Sequence, residues 1–197
     1  MENRWIKALA LAILNDPEIA VRYPKCPAAK TIHHAYIGGL LAHTHQLIKV
    51  VNAIAPLYPE LNREILIFGA AFHDFGKVFE LSFDGPFGYT DEGKLVGHIS
   101  IGNAIIDREV RKLEGFPQSL ELQLKHIVLS HHGRVEYGSP KPPQTLEAVM
   151  LSALDDLDSK LESISQLMKS EKCSGSWTPV HKAYQTSYYR PSPNSLE

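Results

Sequence analysis

The chain has 197 residues and a formal net charge of −2. That fits one domain, with or without a tail, and excludes a broad basic field for a polyanion, so any phosphate-bearing partner must be gripped locally. Hydrophobic residues make up 44%, enough for a sizeable core. The two cysteines, Cys26 and Cys173, show no CxxC spacing; this excludes cysteine-based zinc and redox motifs and fits a reducing compartment.

Helical periodicity dominates the chain. A first helix is expected near residues 5–14. Its apolar run is too short to span a bilayer and has no signal-peptide layout around it, so the chain reads as cytoplasmic with no membrane partner. Pro24 and Pro27 mark a loop. Thr31 is the expected N-cap of a helix through His34, Leu40, His43, Leu47 and Val51, broken by Pro56 and Pro59. The next helix, near 61–72, is apolar on nearly all sides, the pattern of a central buried helix. It delivers His73 and Asp74 at its C-terminal end, with Gly76 as the stop. Residues 82–96 are rich in glycine, aspartate and aromatics and predict a small hairpin.

Helices follow near 97–113 and 117–131, the second closed by Gly133. Pro140, Pro142 and Pro143 form a stiff loop. A long helix near 146–168 carries a main apolar stripe of Leu146, Met150, Ala153, Leu157, Leu161, Ile164 and Met168. Beyond Lys169 a Ser-, Pro- and Tyr-rich tail is expected to lie extended over the surface. The predicted fold is an all-α bundle with at most one small hairpin. Residues 1–170 form the domain and 171–197 the tail packing on it.

Ten histidines are scattered through the chain rather than gathered in a run. His73-Asp74 ends an apolar helix, where a buried carboxylate beside a buried imidazole is costly unless something pairs with them. A cation solves this, because it takes deprotonated carboxylate and neutral imidazole ligands. Alone, the dipeptide reads better as a histidine capping carbonyls and an aspartate in water. The other helices change this. His43 lies in an apolar helix, His98 opens another, His131 and His132 end a fourth, and Asp155 sits in the fifth. Such a set suits a divalent transition metal: manganese, iron, cobalt, nickel or zinc. Asp155 lies nearly opposite the main stripe, but Ala148, Leu151 and Ser152 share its side. That predicts a helix buried on two faces in its first half. Asp156 and Asp158 read as solvated or capping.

The order His43, His73-Asp74, Asp155 resembles the HD superfamily of phosphohydrolases, and His73-Asp74-Phe75-Gly76-Lys77 resembles its HDxGK signature. His98 and His131/His132 resemble the members with two metals. Several blocks are similar to the catalytic domain of the YhaM-type 3′-to-5′ exoribonucleases. They are residues 33–44 (HHAYIGGLLAHT), 89–99 (YTDEGKLVGHI), 129–133 (LSHHG) and 154–160 (LDDLDSK). The resemblance implies a helical HD-type fold and a metal-dependent phosphoester hydrolase. It implies His43, His73, Asp74 and Asp155 on one ion, with Asp74 bridging to a second held by His98, His131 and His132. Two such ions, about 3.5–4 Å apart, activate water against phosphorus. Asp74 is then catalytic.

Lys77, three residues on, is expected to bind a non-bridging phosphate oxygen; otherwise it is a helix-terminal lysine favourable to the dipole. His33 and His34 are expected to touch substrate or to pack near the helix start. Arg134 and Lys141 are candidates for steering a polyanion. Trp177, Tyr184, Tyr188 and Tyr189 either stack bases or, the preferred reading, cover an edge of the core. The expected partner is a phosphoester, either a nucleotide or a short nucleic acid. YhaM-type enzymes usually carry an OB-type barrel ahead of this domain. Only roughly thirty residues precede the first motif here, so RNA is expected to be a poorer substrate than for a relative with the barrel. The alternatives are a phosphohydrolase of small nucleotides, an iron oxygenase on the same ligands, and a non-catalytic metal-bound regulatory or nucleic-acid-processing accessory module.

Overall fold

A computed structural model describes residues 1–30, 36–170 and 175–191. Thr31, His33, His34 and Cys173, singled out above, lie outside the described residues. The architecture is a helical bundle with one two-stranded sheet among the described residues. None of its helices is long and apolar enough to cross a membrane.

Helix α1 (Arg4–Leu14) starts where the Asn3 side chain accepts hydrogen bonds from the Trp5 and Ile6 amides, satisfying N–H groups that the first turn leaves without partners. It buries Ile6, Leu9, Ala10 and Ile13 at helical spacing. Asp16 caps the short α2 (Pro17–Arg22) in the same way, with proline in the first turn. Helix α3 (Gly39–Ile54) begins later than its periodicity predicts. Gly38 sits at φ 82°, a left-handed conformation that cannot continue a right-handed helix, so the register starts one residue on and runs through His43, Leu47 and Val51.

Helix α4 (Arg63–Phe72) is the central element. Asn62 caps it, and Ile65, Leu66, Phe68, Ala70 and Phe72 are all buried against α1, α3, α8 and α9. Burying each such side chain is favourable by roughly 1.5–3 kcal/mol. Gly76 does not end α4 as a left-handed stop. Its φ is −59°, and its role is close approach: a Cβ there would collide with the His98 carbonyl and the Gly102 amide. The loop after Asp74 is thereby pressed onto the start of the helix that carries His98.

Helix α5 (Lys77–Glu80) leads into strands β1 (Leu81–Ser82) and β2 (Gly88–Tyr89), paired antiparallel with Leu81 opposite Tyr89. This is the hairpin expected near 82–96, begun one residue earlier at Leu81. Helices α6 (Asp91–Leu95), α7 (His98–Val110), α8 (Gln118–Leu129) and α9 (Leu146–Lys169) complete the bundle.

Two expectations are corrected. The apolar stripe named for α9 is largely not its buried face: Leu146, Leu157 and Leu161 are about half exposed, while Ala148, Leu151 and Leu154 are buried. The face toward α4 and α8 is the one that carries Asp155. Apolar count marked the wrong stripe because the buried face gives some of its positions to polar groups facing the other helices.

The described part of the tail, residues 175–191, is not simply extended. It folds back as a bridged loop, with Trp177 opposite Tyr189 and His181 opposite Thr186. His181 Nε2 lies 2.8 Å from Ser163 Oγ, which pins the loop to α9.

Candidate metal centre

Five imidazoles and two carboxylates converge where α3, the end of α4, the start of α7, the end of α8 and the middle of α9 meet. His43, His73, Asp74 and His131 are buried to within 5% exposure, and the side chains of His98 and Asp155 are 12% and 15% exposed. His43 Nε2 is 3.3 Å from His73 Nε2 and 3.1 Å from Asp155 Oδ1. His73 Nε2 is also 3.4 Å from Asp74 Oδ2 and 3.6 Å from Asp155 Oδ1. On the other side, His98 Nε2 and His131 Nε2 lie 3.3 and 3.6 Å from Asp74 Oδ1. The ligand-type atoms fall into two groups that share Asp74: His43 and His73 in one, His98, His131 and His132 in the other.

The orientation of the rings is uniform. His43 Nδ1–H donates to Asp158 at 2.9 Å, His73 Nδ1–H to the Gly69 carbonyl at 3.2 Å and His98 Nδ1–H to Glu80 at 3.0 Å. His131 donates to the Val128 carbonyl at 2.7 Å and His132 to the Tyr137 carbonyl at 2.9 Å. In the neutral ring a donor at Nδ1 leaves the lone pair at Nε2, so all five rings turn the same ring nitrogen toward one volume. That is how outer hydrogen bonds orient metal-binding imidazoles.

Three of these buried atoms, Asp74 Oδ1, His98 Nε2 and His131 Nε2, have no hydrogen-bond partner. Buried acceptors left this way are costly, and a divalent cation satisfies all three at once. The residues therefore fit a metal.

Charge is uneven across the centre. Burial opposes charge on His73, but the Asp74 and Asp155 carboxylates override it and raise its pKa to about 10. His43 is raised too, against burial, by Asp155 and Asp158. Burial lowers His131 and His132 instead. Burial disfavours the Asp74 carboxylate, yet Lys77 and His73 hold it well below its ordinary range. Lys77 Nζ is 2.6 Å from Asp74 Oδ2, and this pairing keeps it charged despite burial. Lys77 stands at the first position of α5, not at a helix C-terminus.

The HD domain family matches residues 34–160. The chain belongs to the HD domain family. Similar proteins include the 3'-5' exoribonuclease YhaM of Geobacillus sp. (strain WCH70), 40% identical over 97% of this chain and 58% of that protein. The enzyme of that name from Bacillus subtilis (strain 168) is 39% identical over 98% of this chain and 60% of its own length. The one from Bacillus velezensis is 38% identical over 88% and 55%. The chain thus spans somewhat under two thirds of the curated relatives it matches. No solved structure matches. HD domains bind divalent metals, in keeping with the two histidine–aspartate groups around Asp74.

Over the HD centre opens a groove of about 870 Å³. Asp74, Lys77, His131 and His132 form its floor, and Arg134, Tyr137, Lys160 and Tyr184 its walls. Of the sequence candidates, Arg134 and Tyr184 reach it and Lys141 does not line it. Trp177 and Tyr189 are more than half exposed and pack on each other, 5.4 Å between centroids.

Two functional neighbours escaped the sequence reading. Asp158 is not solvated; it holds His43. Its spacing of three from Asp155 puts both on one helix face, and that was the available signal. Asp156 is exposed and paired with Lys160 at 2.5 Å. Glu80, which grips both the ring and the backbone amide of His98, left no signal, because its neighbourhood is made by the β1–β2 turn of the chain.

Proposed function

We propose that this chain is a metal-dependent phosphodiesterase acting on nucleic-acid phosphoesters, with two divalent transition-metal ions (manganese, iron, cobalt, nickel or zinc) held around Asp74. The observation that carries the reading is the convergence of Asp74 Oδ1, His98 Nε2 and His131 Nε2, next to a second histidine–aspartate group sharing the same carboxylate. The names of the YhaM relatives, 3'-5' exoribonuclease, support an RNA substrate. We assign residues 1–170 to the domain and the rest to a tail, of which the described part, residues 175–191, folds back on α9 and brings Ala183 and Tyr184 to the groove.

Bound between these residues, two divalent cations supply an activated water and neutralise phosphate charge. The chain's own part is to orient and to balance charge. His43, His73, Asp74 and Asp155 form one ligand set; Asp74, His98, His131 and His132 form the other. The Nδ1 hydrogen bonds hold the rings in place before substrate arrives, so no reorganisation is needed during the reaction. Lys77 keeps its positive charge on the groove floor, placed to meet a non-bridging phosphate oxygen.

The test is metal analysis of the purified protein, followed by assays with bis-p-nitrophenyl phosphate and single-stranded RNA, manganese added first. Two ions per chain and chelator-sensitive hydrolysis are expected. Stoichiometric metal without hydrolysis of any phosphoester would establish the non-catalytic accessory module instead.

A further inference from the structure

The metal centre explains the floor of the groove but not its wall. Tyr184 forms part of that wall, and an unusual amount of structure holds it there. Its ring lies flat against the His181 imidazole, with centroids 4.4 Å apart and planes 14° from parallel. The His181 ring is itself fixed. Its Nδ1 accepts from the Ala183 and Tyr184 amides at 3.2 and 3.4 Å, so the proton sits on Nε2, which donates to Ser163 Oγ on α9 at 2.8 Å. This is the opposite tautomer from that of the five histidines at the centre. The His181 amide also bonds the Thr186 carbonyl at 2.8 Å, closing the loop. The residue after Tyr184, Gln185, has φ 52° and is the sole non-glycine residue with positive φ among those described.

Two other groups share this wall. Arg134 lines the groove and makes no ion pair with a carboxylate among the described residues; its guanidinium stands 5.9 Å from the Tyr137 ring centroid. Tyr137 lines the groove too, and its carbonyl anchors His132. A rigid aromatic face, a second aromatic and an unpaired guanidinium beside a phosphate-cleaving floor are the parts that single-stranded nucleic acid calls for. Bases stack on aromatic rings irrespective of sequence, and the backbone meets a cation. A volume of about 870 Å³ falls within the ~300–1,000 Å³ of pockets that hold a small ligand. It accommodates the end of a strand rather than a duplex.

We infer that Tyr184, backed by His181, is a base-stacking platform for the terminal nucleotides of a single strand, with Arg134 and Tyr137 completing the subsite. This rests on the phosphodiesterase reading, and its test separates the two. The probe is a 5′-fluorescent single-stranded oligonucleotide with hydrolysis-resistant phosphorothioate linkages, and a matched probe whose last two 3′ nucleotides are abasic. Binding to the metal-loaded protein is followed by fluorescence anisotropy.

Tyr184→Ala is expected to weaken binding of the complete probe about tenfold. The abasic probe should bind the unaltered protein about as weakly, and Tyr184→Ala should then add little, because both changes remove one interaction. Tyr184→Phe should restore binding to within about twofold, and thermal melting verifies that each variant is folded. Arg134→Ala should weaken both probes alike and flatten the salt dependence. Equal affinity of the protein and Tyr184→Ala for the complete probe overturns the inference, as does failure of the unaltered protein to bind it. Loss of hydrolysis toward every phosphoester would instead sink the phosphodiesterase reading, and the binding cycle would still report on Tyr184.

Discussion

On one side of Asp74, His43 and His73 bring their Nε2 atoms to 3.3 Å from each other and to 3.1 and 3.6 Å from Asp155. On the other, His98 and His131 present Nε2 atoms that make no hydrogen bond. The first group is rich in carboxylate, and its imidazoles are raised by Asp74, Asp155 and Asp158 against the effect of burial. Without a cation it closes on itself with protons. The second group has one shared carboxylate, and burial lowers His131 and His132, so protons do not close it. The same family of side chains therefore makes two different groups, one whose imidazoles are drawn toward protonation by carboxylates and one whose inward nitrogens stand without hydrogen-bond partners.

The largest effect expected is at the residue common to both. Asp74→Ala should cost more than ~10³-fold in turnover, beyond the loss of a single charge-stabilising donor, and should lower bound metal in both groups by elemental analysis. Normal metal content and rate in this variant would remove the two-site picture. Lys77→Ala should keep both ions and reduce kcat by roughly 10–100-fold, since it stabilises charge without holding a cation. Metal loss in Lys77→Ala would show that the lysine holds Asp74 in place instead.

The two outer carboxylates sharpen the contrast. In a calorimetric metal titration, Glu80→Gln should weaken one binding step by ~10–100-fold and Asp158→Asn the other. Both variants acting on the same step would mean that the groups are not separate sites.

The smallest effect is on pH. The His73 pKa is raised in the metal-free fold, so its protonated form adds stability that is fully present below about 6.5 and is lost as pH rises through about 10. A metal must displace that proton. Affinity of the His43–His73 step should therefore fall by up to ~10-fold for each pH unit between 8 and 6, while the other step changes less over the upper part of that range. Equal pH slopes for the two steps would contradict the assignment.

Much of the centre was legible in residue types. The His73-Asp74 dipeptide alone favours a carbonyl-capping histidine and a solvated aspartate. Only the set of histidines and Asp155 spread over the other apolar helices makes a shared cation the better partner. The outer hydrogen bonds were less legible. Glu80 meets His98 across 18 residues with no local pattern to encode it, and Asp158 meets His43 across 115, hinted at only by its spacing of three from Asp155. The side of α9 with Ala148, Leu151 and Asp155, expected as a second buried face, is the one buried, and the stripe of Leu146, Leu157 and Leu161 is not, for a related reason. Its apolar residues are spread around the helix, and the face that packs against α4 and α8 is chosen by those neighbours.

The sequence by itself determined that the chain makes a bundle of amphipathic helices and that chemically matched ligands arrive from five of them. Periodicity and residue chemistry are local properties, and they survive without knowledge of the fold. Only the tertiary structure decided which ring nitrogen faces inward, which face of α9 is buried, and that a loop from the tail reaches the groove. Each of those depends on groups far apart in the chain competing for the same few ångströms, and only packing settles that competition.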